Sequence, residues 1–81
     1  MLIAYIQAAL RQATYEILPD NEGYYGEIPV LQGVYANAET LEACREELQS
    51  VLEGRIALGL ALGHSFPDID GHTLVVQKDA A

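Results

Sequence analysis

The sequence has no tryptophan, a single phenylalanine, a single methionine and a single cysteine, and only four basic residues. Each scarcity removes a class of function. Cys44 alone cannot form an internal disulfide, which fits a reducing, cytoplasmic setting. Arg11, Arg45, Arg55 and Lys78 are scattered along the chain against twelve carboxylates, giving a net charge of −8. Nucleic-acid binding needs clustered cations to replace the counterions of the phosphates, so such a surface repels DNA and RNA. Long hydrophobic runs are also missing. Met1 to Leu10 is apolar, but it falls well short of the roughly 20 residues that span a bilayer, and no basic residue precedes it. No glycine-rich phosphate loop is present, and no serine sits in a nucleophile-elbow context.

What remains is the composition of a small folded domain. Half the residues are hydrophobic, 51%, in a chain of 81. That length supplies one domain, spanning 1–81, with an amino-terminal helix over 1–12 and a core over 13–78. Such a chain buries only about 60–65% of the surface its unfolded form exposes, so its stability is modest or shared with another subunit.

The central run Tyr24 to Ala43 organises the chain. Tyr24, Tyr25 and Ile28 suit a pleated strand. Pro29 lacks the N–H that a ladder needs. Gly33 permits the turn that returns Val34-Tyr35-Ala36 across the sheet. Thr40 offers its hydroxyl to the open amides of a first helical turn, where Glu42 also complements the helix dipole. Upstream, Leu2, Ile3, Ile6, Ala9, Leu10 and Ala13 recur at helical spacing. A strand over Thr14–Leu18 follows, with Tyr15 and Ile17 on one face and Thr14, Glu16 and Leu18 on the other. Pro19 to Gly23 reads as a hairpin turn into the strand Tyr24–Ile28.

The periodicity predicts a long helix from about Leu41 to Leu62, capped by Gly63. Glu42, Arg45, Glu46, Gln49 and Glu53 gather on one face, and Leu41, Cys44, Leu48, Val51, Leu52, Leu58 and Leu62 on the other. Arg55 falls inside the apolar stripe, where it must reach water or find a partner. Ile56 and Leu60 continue the polar line, so Ile56 to Leu62 is apolar all round. A helix end of that kind is covered on every side, and Gly54 and Gly59 invite close approach of another element. These features predict a homodimer or higher homo-oligomer joined through Ile56 and Leu60 with Ile3 and Ile6. A final strand is expected over Thr73–Gln77. The order α, β, β, β, α, β gives an α+β fold, a small antiparallel sheet of three to four strands with the long helix on one face.

Candidate chemistry is sparse. His64, Asp68, Asp70 and His72 lie within nine residues but match no ligand spacing, and they cross a proline-containing loop, so a polar loop is the expected reading and no metal is assigned. A nuclease-like carboxylate cluster needs several acids converging from core strands, whereas the strands bring only Glu16 and Glu27. Cys44 lies on the apolar stripe and reads as an inert core residue. No catalytic residue and no cofactor are expected. Tyr24 and Tyr25 must face opposite sides of the sheet, leaving one free for a partner; tyrosine is a frequent interface anchor.

One resemblance adds to this reading. Thr14-Tyr15-Glu16-Ile17, Gly23-Tyr24-Tyr25-Gly26-Glu27-Ile28-Pro29, Leu31-Gln32-Gly33-Val34 and Ala36, and Thr40-Leu41-Glu42-Ala43 together resemble the HicB-like antitoxin domain, a UPF0150-like family of type II toxin–antitoxin systems. That family shows a hairpin, an aromatic-Pro-x-Leu-Pro-Gly corner and a Thr-x-Glu-Glu-Ala helix start. Gly63-His64-Ser65-Phe66-Pro67 is similar to its helix stop. The likeness runs from about Ala13 to Pro67. Gln32 replaces the second corner proline, Ala43-Cys44 replaces Glu-Ala, the first twelve residues are additional, and the 81 residues hold no DNA-binding segment after the domain. The resemblance implies a partial RNase H-like fold and a non-enzymatic role, neutralising a small basic HicA-type mRNA interferase by direct contact. The expected contact residues are Tyr25, Glu27, Glu39 and Glu42, since an acidic surface steers a basic protein toward it. An oligomeric structural or regulatory protein without a toxin partner is the alternative.

Overall fold

A computed structural model describes residues 2–74. Helix α1 (Leu2–Arg11) leads into strand β1 (Thr14–Ile17), a 3-10 turn at Pro19–Asn21, strands β2 (Tyr24–Glu27) and β3 (Tyr35–Ala38), and helix α2 (Leu41–Leu62). The three strands form one antiparallel sheet in the order β1-β2-β3, and α2 lies across one face, against β3 and β2. This is the α+β arrangement expected from the order of elements.

Local chemistry sets the boundaries. In the β1–β2 turn Asp20 and Asn21 take left-handed φ values of 58° and 57°, a conformation that short polar side chains tolerate. Gly23 follows at φ 100°, and a Cβ there would collide with the carbonyl of Ala38. The β2–β3 corner starts where Pro29 ends the ladder. The Ile28 N–H donates to the Val34 carbonyl at 3.0 Å, Leu31 N–H to Ile28 at 3.0 Å, and Val34 N–H to Leu31 at 3.2 Å. Ile28, Leu31 and Val34 are all buried, so the corner is a piece of core. Because Val34 spends its N–H inside this turn, sheet pairing resumes only at Tyr35. β3 therefore runs Tyr35–Ala38 and not Val34–Ala36 as the sequence suggests.

Helix α2 is capped as its sequence indicates. The Thr40 hydroxyl accepts from the Ala43 N–H at 3.0 Å, and Gly63 closes the helix in the left-handed region at φ 73°. Its buried stripe is Cys44, Leu48, Leu52, Ile56 and Gly59. Here two expectations are corrected. Ile56, assigned to an outer interface, is only 2% exposed and belongs to the core. Leu41, Leu58 and Leu62, assigned to the buried face, are 41%, 57% and 60% exposed. A contact line of four-residue steps turns about 40° per step around a helix of 3.6 residues per turn, so the buried face winds and a single averaged face misplaces both ends. Leu60 is half-buried against the core.

Helix α1 is turned relative to its expected stripe. Tyr5, Ala8 and Ala9 are buried, Ile6 and Leu10 pack against the core at its margin, and Leu2 and Ile3 are exposed. Tyr5 takes the inner position because its hydroxyl finds a partner there, donating to the Pro67 carbonyl at 2.5 Å; a buried phenol without one is costly. Its ring meets Phe66 edge-on at 6.5 Å. Phe66 in turn occupies the space a side chain at Gly59 would need, and Arg55 satisfies its position in the stripe by lying over the Phe66 ring at 5.6 Å. The segment after α2 is thus pinned between the two helices. Ile69 and His72 form an isolated bridge around Asp70-Gly71, and Gln12 donates to both carboxylate oxygens of Asp70 at 3.1 and 3.3 Å. Thr73 and Leu74 are not in a strand; the rest of the strand expected over Thr73–Gln77 lies outside the described residues.

Candidate partner-binding face

Strand register decides which side chains the sheet shows. Tyr15 pairs with Gly26 and Gly26 with Ala36, while Ile17 pairs with Tyr24 and Tyr24 with Ala38. Both rows lie on the α2 side of the sheet; the first packs under the helix at Gly26 and Ala36, while Ile17, 76% exposed, lies beyond it. Gly26 and Ala36 are small because the helix and the Tyr15 ring come close: a Cβ on Gly26 would sit 2.7 Å from the Tyr15 ring and 3.2 Å from the Cys44 sulfur. Cys44 is buried there with its thiol toward the Ala36 carbonyl at 3.6 Å. Burial pushes that thiol up from its ordinary pKa, which disfavours the reactive thiolate.

Alternation then sends the remaining strand residues to the opposite face. Thr14, Glu27 and Tyr35 form one cross-strand row, and Glu16, Tyr25 and Asn37 the next. Neither helix contributes to this face. Tyr25 and Tyr35 are diagonal neighbours on adjacent strands, within the reach of aromatic pairs. Their rings stack with centroids 6.3 Å apart at an interplanar angle of 28°. The Tyr25 hydroxyl donates to Glu27 Oε2 at 3.3 Å. Partial desolvation, with Glu27 beside it and Tyr35 and Glu16 nearby, raises the Tyr25 pKa above the usual phenol value. Tyr35 is 59% exposed. No residue of β1, β2 or β3 is basic, so the strands bring to this face two aromatic rings and two carboxylates with no cation among them.

Of the residues singled out from sequence, the structure brings Tyr25 and Glu27 together and places Glu39 and Glu42 elsewhere. Glu39 lines a small hollow of about 240 Å³ beside Ile17, Asn21 and Tyr24 at the hairpin end. Glu42 lines a groove of about 600 Å³ between α1 and α2, with Leu10, Tyr15, Arg45 and Glu46. Burial raises the Tyr15 pKa there, and Arg45 partly opposes the shift. Sequence reasoning missed Tyr35 and Glu16 as members of the face. Both join Tyr25 and Glu27 only through the strand register, which no local sequence signal states. The loop acids do not assemble a metal site: among the described residues no three His, Cys, Asp or Glu side chains converge.

Comparison with known proteins bears on the same region. No curated protein matches the chain. The crystal structure of TTHA0281 from Thermus thermophilus superimposes with a TM-score of 0.88 at 36% sequence identity, covering 94% of each chain. The model of the UPF0150-like family matches residues 4–67, which takes in α1 from Ala4, all three strands, α2 and the Phe66-Pro67 stop, so the amino-terminal helix expected to be additional lies within the family's extent. The chain belongs to the UPF0150-like family.

Proposed function

We propose that this protein is a non-enzymatic binding module, a HicB-like antitoxin or a solitary relative, that covers and inhibits a small basic HicA-type ribonuclease. The observation that carries the reading is the sheet face opposite α2, which no element among the described residues covers. That face bears the stacked Tyr25–Tyr35 pair with Glu16 and Glu27. Aromatic residues of this kind anchor protein interfaces, and a net charge of −8 attracts a basic partner and repels nucleic acid. Membership of the UPF0150-like family is compatible with this role. On this reading the chain uses no cofactor and contacts neither nucleic acid nor membrane itself; among the described residues no helix is long and apolar enough to cross a bilayer. It acts in the cytoplasm.

Co-expression with a small basic protein encoded beside it is the test. The expected result is co-purification and inhibition of RNA cleavage by that protein. The absence of such a neighbour, or one that neither binds nor is inhibited, contradicts the reading.

A second reading rests on a different surface. Ile3, Leu58 and Leu62 are 67%, 57% and 60% exposed, and nothing lies within 4 Å of a side chain built on Gly54. We propose that these positions, with Ile6 and Leu60 at the margin, form a homo-oligomer contact, from which Ile56 drops out because it is already buried. Light scattering at micromolar concentration that returns a monomer mass contradicts it.

A further inference from the structure

We infer that the stacked Tyr25–Tyr35 pair, with Glu16 and Glu27 beside it, is a receptor for an arginine side chain presented by a basic protein partner. The inference rests on the binding role proposed above and specifies which chemistry the sheet face recognises.

The argument begins with register. Glu16 is the direct cross-strand partner of Tyr25, and Glu27 that of Tyr35. Direct partners on one sheet face hold their Cβ atoms about 4.5–5.5 Å apart. Each ring therefore has a carboxylate at its side, and Glu27 is also tied to Tyr25 by the hydroxyl contact at 3.3 Å. The two rings stack within 28° of parallel, so each turns one face toward the other, and Tyr35, 59% exposed, offers the open outer face of the pair. A planar cation laid on that face meets a π-surface below and carboxylate oxygens at the edge.

Only one protein side chain fits both demands. Guanidinium is flat, weakly hydrated, stacks on aromatic rings and gives two parallel N–H donors to one carboxylate. Lysine ammonium is a compact, strongly hydrated point charge that can pair with the carboxylate but does not stack. The chain's own Arg45 and Arg55 are placed on the helix side, in the α1–α2 groove and over Phe66. The three strands themselves supply no cation. Among the described residues nothing basic pairs with Glu16 or Glu27, and a partner is taken to supply the complementary charge.

Nona-arginine and nona-lysine, two peptides of equal charge, serve as probes of the full chain at low salt, read by calorimetry and by the ring resonances of Tyr25 and Tyr35. Nona-arginine is expected to bind about two- to five-fold more tightly than nona-lysine, the gain an exposed cation–π contact provides, and to shift both sets of ring resonances. Tyr25→Leu and Tyr35→Leu bring the two affinities together, whereas Glu16→Gln and Glu27→Gln weaken both peptides. Equal affinities in the wild type overturn the inference. So does an arginine preference that survives both tyrosine substitutions, or unmoved rings. The last readout needs no variant and so does not depend on variants that fold. Ring shifts on dilution of the protein alone assign the face to a second copy, and ring shifts with a short RNA assign it to nucleic acid; either overturns the inference. None of these outcomes depends on a toxin. A failure of ribonuclease inhibition with arginine preference intact sinks the antitoxin reading alone, and inhibition without arginine preference sinks the arginine receptor alone.

Discussion

Two glycines in α2 give the fold an internally controlled test. Gly54 and Gly59 sit five residues apart in one helix, and each costs about 1 kcal/mol relative to alanine through backbone entropy. Their surroundings differ. A Cβ on Gly54 meets nothing within 4 Å, while one on Gly59 collides with the Phe66 ring tip and comes within 3.0 Å of the Arg55 guanidinium. Gly54→Ala should therefore return the whole propensity gain, a stabilisation of about 1 kcal/mol. Gly59→Ala gains the same amount, but it must displace Phe66, and with it the edge contact to Tyr5 and the Arg55 stack. Overpacking of a fitted site costs about 1–3 kcal/mol, and this shift loosens two further contacts, so a net loss of about 1 kcal/mol is expected. Urea unfolding of both variants measures the difference, about 2 kcal/mol, which in a domain this small corresponds to roughly 8–16 °C in melting temperature. In a Phe66→Leu background, where the ring is gone, Gly59→Ala should recover toward the Gly54 value, a coupling that a double-mutant cycle isolates. Equal stabilisation by the two alanines in the wild-type background would refute the placement of Phe66 on α2, and with it the pinning of the segment after the helix.

Three further outcomes follow from the same packing. Tyr5, Tyr15, Tyr25 and Cys44 all have pKa values raised in the fold, chiefly by burial or partial desolvation. The folded chain then holds protons that the unfolded chain has released, so stability is full below the ordinary values, about 8.5 for cysteine and 10 for tyrosine, and declines as pH climbs through the raised ones; urea midpoints should fall between about pH 8 and pH 11, and an unchanged midpoint contradicts the burial of these groups. Thr40→Ala removes the side-chain cap of α2 and should cost about 1 kcal/mol, with Thr40→Ser largely neutral, by thermal melting. Glu27→Gln removes the neighbouring negative charge and should lower the Tyr25 pKa toward its ordinary value, read by tyrosinate absorbance; a Tyr25 titration indifferent to Glu27 denies their contact.

The parts of the fold legible in the sequence are those set by near neighbours. The α2 caps need only Thr40 and Gly63, the hairpin turn only Asp20, Asn21 and Gly23, and the strand break only Pro29. The parts that are not legible depend on distant partners. Ile56 resembles an outer residue because a helical wheel averages one face along 22 residues, while the buried line winds to follow a twisted sheet. Tyr5 displaces the expected α1 stripe because its hydroxyl bonds to Pro67, 62 residues away. The site divides in the same way. Tyr25 and Glu27 are two residues apart on one strand and can be paired from sequence, whereas Glu16 and Tyr35 join them only through a register that local sequence does not state. Proximity along the chain groups Glu39 and Glu42 with them, but the turn into α2 carries both to the other side of the sheet.

The central claim is that the sheet face opposite α2 is the surface another protein covers. Amide and tyrosine-ring resonances recorded during titration with the basic protein partner proposed above test it most directly. Shifts confined to Thr14, Glu16, Tyr25, Glu27, Tyr35 and Asn37, with the outer residues of α2 unmoved, are the expected result. Shifts centred on Leu58 and Leu62 or in the α1–α2 groove, with the six strand residues unchanged, would contradict it.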